Sequence, residues 1–322
     1  MNKVAVIGLG NIATRHRRNL KLMFPNAMLL AMSASGRVPS EEVSDCDGVV
    51  SNIEELIAQQ VELVIVASPA PYHATHAIPL IEAGIPTLIE KPVTTSSSDV
   101  DLLQQALERY NTPVAIGYCL RYLPSAQIMQ RLLTENKIGK VYNAFIQIGQ
   151  YLPDWRPSKH YRDSVSANPD LGGGALFELS HELDYCQWLL GELNVEHVLL
   201  RSTEELDLAV EDIADITATT QSGTVAHIHL DFIQRKAYRA CSIVGSKGRL
   251  DWDLIKNRVV FSSVAGEELI YNGPEWDKNK MYLNMLHDFV EKIENRVHCC
   301  VSLDEAKQTV LLVEKIKHYE KN

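Results

Sequence analysis

Three segments of the chain contain residue types at spacings that could do chemistry. Gly8-Leu9-Gly10 joins an apolar stretch to a helical one, which is the setting of turns that bind diphosphates. Lys91 follows a short apolar stretch, and its ammonium group could stabilise negative charge on an oxygen atom. Glu178, His181 and Glu182 would share one face of a continuous helix, where a histidine can move a proton near neutral pH.

The glycine segment matches the pattern G-x-G-x-x-A, directly after a predicted strand and at the start of a predicted helix. Gly8 permits the tight turn, Gly10 lets the backbone approach a pyrophosphate, and Ala13 lets the helix pack on the strand. The backbone N–H groups of Asn11 and Ile12 would then face the diphosphate. A plain strand-to-helix turn is the alternative, and the strand–helix alternation that follows favours a dinucleotide.

The end of the second predicted strand bears on the choice between NAD and NADP. A carboxylate at this position pairs with the ribose 2′-hydroxyl of NAD. The sequence instead contains Ser33, Ser35 and Arg37, and no acidic residue occurs before Glu41. Hydroxyl groups and a guanidinium suit a 2′-phosphate, so we expect NADP as the cofactor, with NAD as the alternative.

Lys91 lies just beyond the carboxyl end of the predicted strand Thr87–Ile89, where open α/β sheets bind their ligands. There it could donate a hydrogen bond to a reacting oxygen and stabilise developing alkoxide charge. The alternative is a surface lysine beside Glu90. Pro92, which restricts the local backbone, favours the catalytic interpretation.

The third segment is predicted to be a single helix over residues 175–190, after three consecutive glycines. In this helix, Glu178 and His181 are the candidate catalytic pair, because a carboxylate can orient a histidine and raise its pKa. A carboxylate–histidine helix could also bind a metal, but we expect none because no third ligand occurs at a convincing spacing. A purely structural role for His181 is the other alternative.

A loop rich in cations and aromatic residues precedes this helix. Arg156, Tyr161 and Arg162 could hold an anionic substrate, since guanidinium groups pair with carboxylate or phosphate and aromatic faces stack on sugars or bases. The alternative is a solvated loop whose charges balance Asp154 and Asp163.

The order of predicted elements indicates how these segments are positioned. Strands alternate with helices over residues 1–120, which predicts an N-terminal Rossmann domain with a doubly wound parallel sheet. Residues 121–322 contain a long strand, the helix just described, a series of short strands and two closing helices. This pattern predicts a C-terminal α+β domain with a large, mostly antiparallel open sheet flanked by helices.

Composition excludes several classes of protein. The net charge of −10 argues against a nucleic-acid partner, and the basic run Arg15–Arg18 is expected to face a cofactor phosphate or solvent. No apolar run is long enough to span a membrane, and no signal-peptide pattern occurs, so we expect a cytoplasmic protein. The six cysteines lack metal or redox spacing and are expected to be reduced.

The motifs together resemble the Gfo/Idh/MocA family of oxidoreductases, named for glucose–fructose oxidoreductase and inositol dehydrogenase. The resemblance covers nearly the full chain and depends on an ordered set of segments: Gly8–Ala13, Val64–His73, Ala83-Gly84, Glu90-Lys91-Pro92, Gly117-Tyr118, Arg121-Tyr122, Ile138–Val141, Gly172–Gly174 and Ile243–Gly248. Glu90-Lys91-Pro92 after a strand is the most specific of these.

The resemblance implies hydride transfer at a carbon that carries a hydroxyl group, on a sugar, cyclitol or nucleotide sugar. It adds Ser68, Pro69, His73 and Glu90 to the expected cofactor contacts, beside Lys91. It adds Tyr118 and Arg121 to the expected substrate contacts, and it implies self-association as a homodimer or homotetramer.

The chain departs from the commoner family pattern, in which a histidine follows an aspartate by four residues. Here His181 follows Glu178 by three, so either His181 or Glu182 takes the family position, and we favour His181. The leading hypothesis is therefore an NAD(P)-dependent dehydrogenase or reductase acting on CH–OH groups. The alternatives are a dinucleotide- or sugar-sensing protein without turnover, and an enzyme that only borrows hydride from a permanently bound cofactor.

Overall fold

The computed structural model describes residues 1–155 and 160–319, which form two compact units. The first unit contains Met1–Cys119 and Asn279–Val310, and the second contains Leu120–Lys278 and the described residues from Leu311 onward. The chain therefore leaves the first unit close to residue 120 and later returns to it.

This return distinguishes the structure from a simple division into residues 1–120 and 121–322. Helix α8 (Lys280–Ile293, numbered in chain order) belongs to the first unit, where it buries the apolar side chains of Met285, Leu286 and Phe289. Its Lys292 ammonium donates a 2.7 Å hydrogen bond to the Val114 carbonyl. Contact of α8 with α1, together with this hydrogen bond to β6, explains the grouping, which sequence order alone does not reveal.

The first unit is built on six parallel strands in the order β3-β2-β1-β4-β5-β6. Their bounds are β1 (Lys3–Ile7), β2 (Met28–Met32), β3 (Gly48–Val50), β4 (Leu63–Val66), β5 (Thr87–Ile89) and β6 (Val114–Ile116). The order reverses direction between β1 and β4, and this switch point is where doubly wound sheets bind ligands. The predicted Rossmann architecture is confirmed.

Four helices connect these strands: α1 (Asn11–Met23), α2 (Ile53–Ala58), α3 (His73–Glu82) and α4 (Ser97–Tyr110). Side chains cap two of them, since Asn52 accepts from the Glu55 N–H and Ser96 accepts from the Asp99 N–H. Helix α1 begins after Gly10 without a side-chain cap, so its first N–H groups are available to a ligand.

The second unit contains an eight-stranded sheet in the order β14-β13-β12-β11-β7-β10-β9-β8. The strands are β7 (Val141–Gly149), β8 (Leu193–Arg201), β9 (Ile213–Thr220), β10 (Val225–Asp231), β11 (Tyr238–Gly245), β12 (Gly248–Asp253), β13 (Arg258–Ser263) and β14 (Gly266–Asn272). All neighbouring pairs are antiparallel except β7 and β10. The predicted mostly antiparallel sheet is confirmed.

Helices α5 (Pro124–Thr134), α6 (Ala175–Glu178) and α7 (Ser180–Leu190) belong to this unit, and α9 (Leu303–Tyr319) contains the crossing between the units. Alternate residues of β7, Ala144, Ile146 and Ile148, are buried, whereas Phe145 between them is 48% exposed. The sheet therefore has one apolar buried face and one open face. Across the described residues, no helix is long and apolar enough to cross a membrane.

His229 lies on the open face, between two carboxylates. Its Nδ1 is 2.6 Å from Asp215 Oδ1 and its Nε2 is 2.9 Å from Asp231 Oδ2. The hydrogen bond with Asp231, opposed by burial and reinforced by Asp215, raises the pKa of His229 above its ordinary value of 6.5. The histidine is therefore held in its charged form over a wider pH range than in an unfolded chain.

We expect the contribution of His229 to stability to depend on pH. Because its pKa is higher in the folded state, the stabilisation is complete below the ordinary pKa and disappears as pH rises through the folded value. His229→Gln should therefore lower Tm more at about pH 6 than at about pH 9. Thr217→Val, a change at a non-titrating residue of the neighbouring strand, is the control. A loss of Tm that is the same at both pH values would contradict the expectation.

Candidate active site

The turn after β1 can be formed only by glycine at position 8. Gly8 has a φ of +117°, and a Cβ there would lie 2.7 Å from the Ala67 carbonyl carbon and overlap its oxygen. Gly10 differs, because a Cβ at that position would meet nothing within 4 Å. The space above Gly10, together with the uncapped N–H groups of Asn11 and Ile12, fits a diphosphate.

The basic run at the start of α1 supports this turn from within. Arg17 is buried, and its Nε donates to the Ser44 carbonyl at 2.8 Å. Its two terminal nitrogens donate to the Gly8 carbonyl at 3.4 Å and to Thr14 Oγ1 at 2.9 Å. Burial lowers the pKa of Arg17. Arg18 pairs with Asp45 at 3.0 Å. The expectation that this run faces phosphate or solvent is therefore wrong for Arg17, whose buried side chain stabilises the turn through hydrogen bonds.

The turn after β2 lies beside the glycine turn, because Ile7 and Met32 are register partners. Ser33 and Ser35 are 3.2 Å apart through their hydroxyl oxygens, and the Gly36 N–H donates to the Ser33 carbonyl at 3.1 Å. Arg37 is exposed. These two serines and the arginine are thus placed at the edge where the dinucleotide ribose is expected.

His73, a predicted cofactor contact after Ser68 and Pro69, is only 1% exposed. Its Nε2 is 2.7 Å from the Ser68 carbonyl oxygen, and its Nδ1 is 3.0 Å from the Pro92 carbonyl oxygen. Burial lowers its pKa, against the opposing effect of these carbonyl groups. The ring therefore joins the turn after β4 to the loop after β5, and contact of His73 with the cofactor stays a prediction.

Glu90 and Lys91 follow β5 at the same edge of the sheet, since Val66 and Ile89 are register partners. Glu90 is buried, and its Oε1 is 2.6 Å from Nε2 of His16 on α1. Its other oxygen accepts from the Lys91 N–H at 3.1 Å. Lys91 itself is partly buried and follows β5 at the carboxyl edge that β1, β4 and β5 share.

The sequence-based prediction missed His16. Its inward position follows the helical period of Ala13, Arg17 and Leu20, which are all buried. A histidine on the apolar face of a helix needs a polar partner when it is buried. That signal was present in the sequence, but the partner, Glu90, is distant along the chain.

In the second unit, consecutive glycines allow the backbone to fold tightly before α6. A Cβ at Gly173 would lie 2.6 Å from the Val165 carbonyl oxygen, and one at Gly174 would overlap the Glu211 carboxylate. Glu211 accepts from the Leu176 N–H at 3.1 Å and so caps the helix. The glycines are therefore required by close packing at the start of the predicted catalytic segment.

The segment is not one continuous helix, so the prediction of a single helix over residues 175–190 is wrong. Leu179 adopts φ −99° and ψ 25°, which separates α6 from α7. Glu178 ends α6 and accepts from Ser166 Oγ at 3.0 Å. His181, partly buried, lies in the first turn of α7.

Glu182 has a different role from its neighbour His181. It is 0% exposed, and its two oxygens accept from Arg239 at 2.6 and 3.1 Å. Glu182 is therefore committed to this two-point ion pair, because removal of Arg239 would leave a fully buried carboxylate uncompensated. Glu182 is therefore a poor candidate for the family histidine position, and His181 is the better one.

Two predicted substrate contacts instead belong to the packed interior. Tyr118 is 0% exposed and lies in the apolar core of the first unit. Arg121 is buried and donates to both oxygens of Asp184, at 3.0 and 2.7 Å, with its guanidinium 5.4 Å from the Trp188 ring centre. Both side chains are thus enclosed by protein, and their predicted contact with substrate stays a prediction.

The basic loop before α6 is described only in part, and Arg156 lies outside the described residues. Tyr161 donates from its hydroxyl to the Leu206 carbonyl at 3.0 Å. Arg162 bonds the same carbonyl at 3.2 Å and pairs with Asp207 at 3.0 Å. Its hydrogen bond with Tyr161, and then the charge of Asp207, raise the pKa of Arg162. The loop charges are thus partly balanced by the protein itself.

Among the described residues, no group of three or more histidine, cysteine, aspartate or glutamate side chains could hold a metal ion. The donor set at the sheet edge therefore consists of backbone N–H groups, hydroxyls and the Lys91 ammonium. Such groups suit a diphosphate and an oxygen-bearing carbon.

Comparison with known proteins decides the family. Residues 2–118 match the model described as "Oxidoreductase family, NAD-binding Rossmann fold", and residues 126–251 match the model of the GFO/IDH/MocA C-terminal domain. The two models together match most of the chain. The protein belongs to the GFO/IDH/MocA oxidoreductase family.

Relatives in this family act on sugars and cyclitols. A myo-inositol 2-dehydrogenase of Thermotoga maritima is 26% identical over 96% of this chain and 93% of its own length. An inositol 2-dehydrogenase of Streptomyces avermitilis is 29% identical over 59% of this chain, which spans only 53% of that relative. Levoglucosan dehydrogenase, solved with NADH and levoglucosan, shares the fold, with a TM-score of 0.86, 18% identity and coverage of 99% and 97% of the two chains.

Family membership confirms the prediction of a nicotinamide-dependent oxidoreductase acting on CH–OH groups. The cofactor prediction is confirmed as far as an NAD-binding Rossmann fold. The alternative of a sensor without turnover gains no support from the GFO/IDH/MocA relatives.

We expect Gly8→Ala and Gly10→Ala to separate folding from dinucleotide binding. At Gly8 the methyl group meets the Ala67 carbonyl at a positive φ, and the strain should lower the free energy of unfolding by about 1–3 kcal/mol or more. At Gly10 the methyl group has open space, so stability should be unchanged while affinity for the dinucleotide falls. Denaturant unfolding and titration with NADH and NADPH measure the two effects.

Gly84→Ala is the matched control, because Gly84 has a φ of +72° but nothing within 4 Å of its added Cβ. It should show backbone strain without the clash. Equal destabilisation by the changes at Gly8 and Gly10, or unaltered dinucleotide affinity in Gly10→Ala, would contradict the assignment of the turn.

Proposed function

We propose that the protein is an NAD(P)-dependent dehydrogenase or reductase that interconverts a hydroxyl and a keto carbon on a sugar-like or cyclitol substrate. The observation that carries the proposal is the position of Lys91, beside the buried Glu90 at the carboxyl edge of the parallel sheet and near the Gly8–Gly10 turn. The inositol and levoglucosan dehydrogenases among the relatives support the substrate class.

Lys91 is the residue that we assign to the reacting oxygen. Its ammonium would donate a hydrogen bond to the substrate oxygen and stabilise the negative charge that develops there. The bound nicotinamide would supply the hydride acceptor or donor. Since the turn after β4 and the loop after β5 are tied together through His73, the backbone that carries Lys91 is held firmly.

We assign proton transfer to His181, with Glu178 as its supporting carboxylate. His181 is partly buried at the start of α7, and an imidazole can accept the hydroxyl proton near neutral pH. Glu178 ends α6, close to His181 in the chain, and accepts a hydrogen bond from Ser166 Oγ at 3.0 Å. The commitment of Glu182 to Arg239 supports this choice.

The structure gives less support for a negatively charged substrate than the sequence does, because two of the candidate arginines pair with carboxylates of the protein. Arg121 is enclosed with Asp184, and Arg162 pairs with Asp207. A glucose-6-phosphate 3-dehydrogenase of Bacillus subtilis, 27% identical over 67% of this chain, shows that one relative takes a phosphorylated sugar. We therefore propose a neutral sugar or cyclitol first, with a sugar phosphate as the second class to assay.

Self-association as a homodimer or homotetramer and a cytoplasmic location stay predictions. The open face of the second sheet exposes Phe145 and Leu199, at 48% and 49%, which favours a partner surface there. Sedimentation equilibrium of the purified chain would measure the oligomeric state.

We expect Lys91→Met to lower kcat by about 10²–10³-fold, because it removes a charged donor aimed at a developing oxyanion. Dinucleotide affinity should change much less. Reduction or oxidation of the cofactor is followed by absorbance with myo-inositol, levoglucosan and glucose 6-phosphate as substrates. The exposed Lys247→Met is the control. Full activity in Lys91→Met would overturn the assignment, and inactivity of the wild type on every sugar and cyclitol would overturn the substrate class.

We further propose that the cofactor is NADP, held by Ser33, Ser35 and Arg37. The supporting observation is that these residues follow β2 without a carboxylate before Glu41. Arg37→Ala should weaken NADPH binding by about tenfold through loss of a charged hydrogen bond and leave NADH binding unchanged. A preference for NADH in the wild type, unaltered in Arg37→Ala, would decide for NAD.

A further inference from the structure

We propose that His16 is a positioning residue for Lys91, acting through the Glu90 carboxylate. The inference goes beyond the proposed function by naming a residue that neither the glycine motif nor the Glu90-Lys91-Pro92 motif includes. It rests on that function only for the turnover measurements described below.

The contact between His16 and Glu90 joins two segments that are far apart in sequence. Nε2 of His16 is 2.6 Å from Oε1 of Glu90, and the two side chains are 0% and 8% exposed. Nδ1 of His16 is also buried and has no hydrogen-bond partner within the described part of the chain. The tautomer that carries its proton on Nε2 satisfies the carboxylate and leaves Nδ1 as an acceptor, which avoids a buried donor without a partner.

The second oxygen of Glu90 extends this contact to Lys91. Oε2 accepts from the Lys91 backbone N–H at 3.1 Å, so one carboxylate joins α1 to the backbone of the lysine. Gly117, after β6, closes the other side, because a Cβ there would lie 3.0 Å from both Cδ and Oε2 of Glu90. The carboxylate is thus enclosed between a donor from α1, a donor from its own loop and a glycine.

The far side of His16 is covered by Tyr282 of α8. The two rings meet edge to face, with centres 5.9 Å apart and an interplanar angle of 78°. Burial raises the pKa of Tyr282, and the Glu90 charge acts in the same direction. Tyr282 therefore stays a neutral phenol, and its ring packs against His16 on the side away from Glu90.

This arrangement couples the lysine to the helix that begins at the cofactor turn. A buried carboxylate requires its donors, so loss of the His16 N–H would favour a different orientation of Glu90. Reorientation would release the hydrogen bond to the Lys91 backbone. Since displacement of a reacting group by about 1 Å can reduce a rate by about a hundredfold, the effect on turnover should be large.

The test compares His16→Gln with His16→Leu. The glutamine Nε2 can reproduce the donor, whereas leucine cannot. We expect His16→Leu to lower kcat by roughly ten- to a hundredfold with little change in dinucleotide Kd, and His16→Gln to recover most of the loss. Arg18→Leu is the control on the same helix, because Arg18 is exposed and pairs with Asp45 at the surface. No loss of kcat in His16→Leu, or no recovery in His16→Gln, would overturn the inference.

A second variant disturbs the Glu90 carboxylate without removing one of its hydrogen-bond donors. Gly117→Ala places a methyl group against Glu90 and should lower kcat in the same direction, with dinucleotide Kd again unchanged. It keeps the inference testable if His16→Leu fails to fold. Normal kcat in a folded Gly117→Ala protein would count against the proposed coupling.

A chemical measurement separates this inference from the proposed function. The rate of lysine acylation at Lys91, measured by mass spectrometry relative to the exposed Lys247, should rise in His16→Leu and Gly117→Ala and stay near the wild-type ratio in His16→Gln. An unchanged ratio in both disrupting variants would overturn the positioning role, even if activity falls. A changed ratio in a protein that turns over no sugar or cyclitol would retain the positioning role and reject the proposed function.

Discussion

The approach of the Gly8 backbone to the Ala67 carbonyl is the constraint on which the first unit depends. It occurs where β1 and β4 lie side by side at the reversal of strand order, so a side chain at position 8 would separate the two strands. The same close approach directs the start of α1 toward the carboxyl edge of the sheet. Because β5 is in register with β4, Lys91 reaches that edge as well.

Charged residues behave in two different ways around this framework. Arg17, Arg121 and Glu182 are buried, and each is satisfied by partners within its own unit. The side chains of Lys91 and Arg37 are more exposed to solvent than these three. A buried charge needs a fixed partner to offset its desolvation, whereas a charge that is to meet a ligand must keep its donors accessible. In this chain, burial therefore marks Arg17, Arg121 and Glu182 as structural, whereas Lys91 and Arg37 stay candidates for contact with a ligand.

The family relationship and the geometry contribute different parts of the functional assignment. Membership of the GFO/IDH/MocA family establishes an oxidoreductase with an NAD-binding Rossmann fold. The contacts of this chain show how the backbone around the proposed site is held. His73 bonds two loops, Glu90 bonds both His16 and the Lys91 backbone, and Glu211 bonds the start of α6. In the proposed mechanism, contacts of this kind would hold the catalytic groups in place.

The sequence by itself determined the strand–helix alternation, the glycine turn, the predicted position of Lys91 and the class of the second sheet, because these depend on local period and on residues that only one backbone conformation accepts. Only the tertiary structure decided that residues 279–310 pack with the first unit and that the helix breaks at Leu179. It also decided that Tyr118 and Arg121 are interior residues and that His16 meets Glu90. Each of these outcomes depends on a partner distant along the chain, and the identity of such a partner is not contained in local periodicity or spacing.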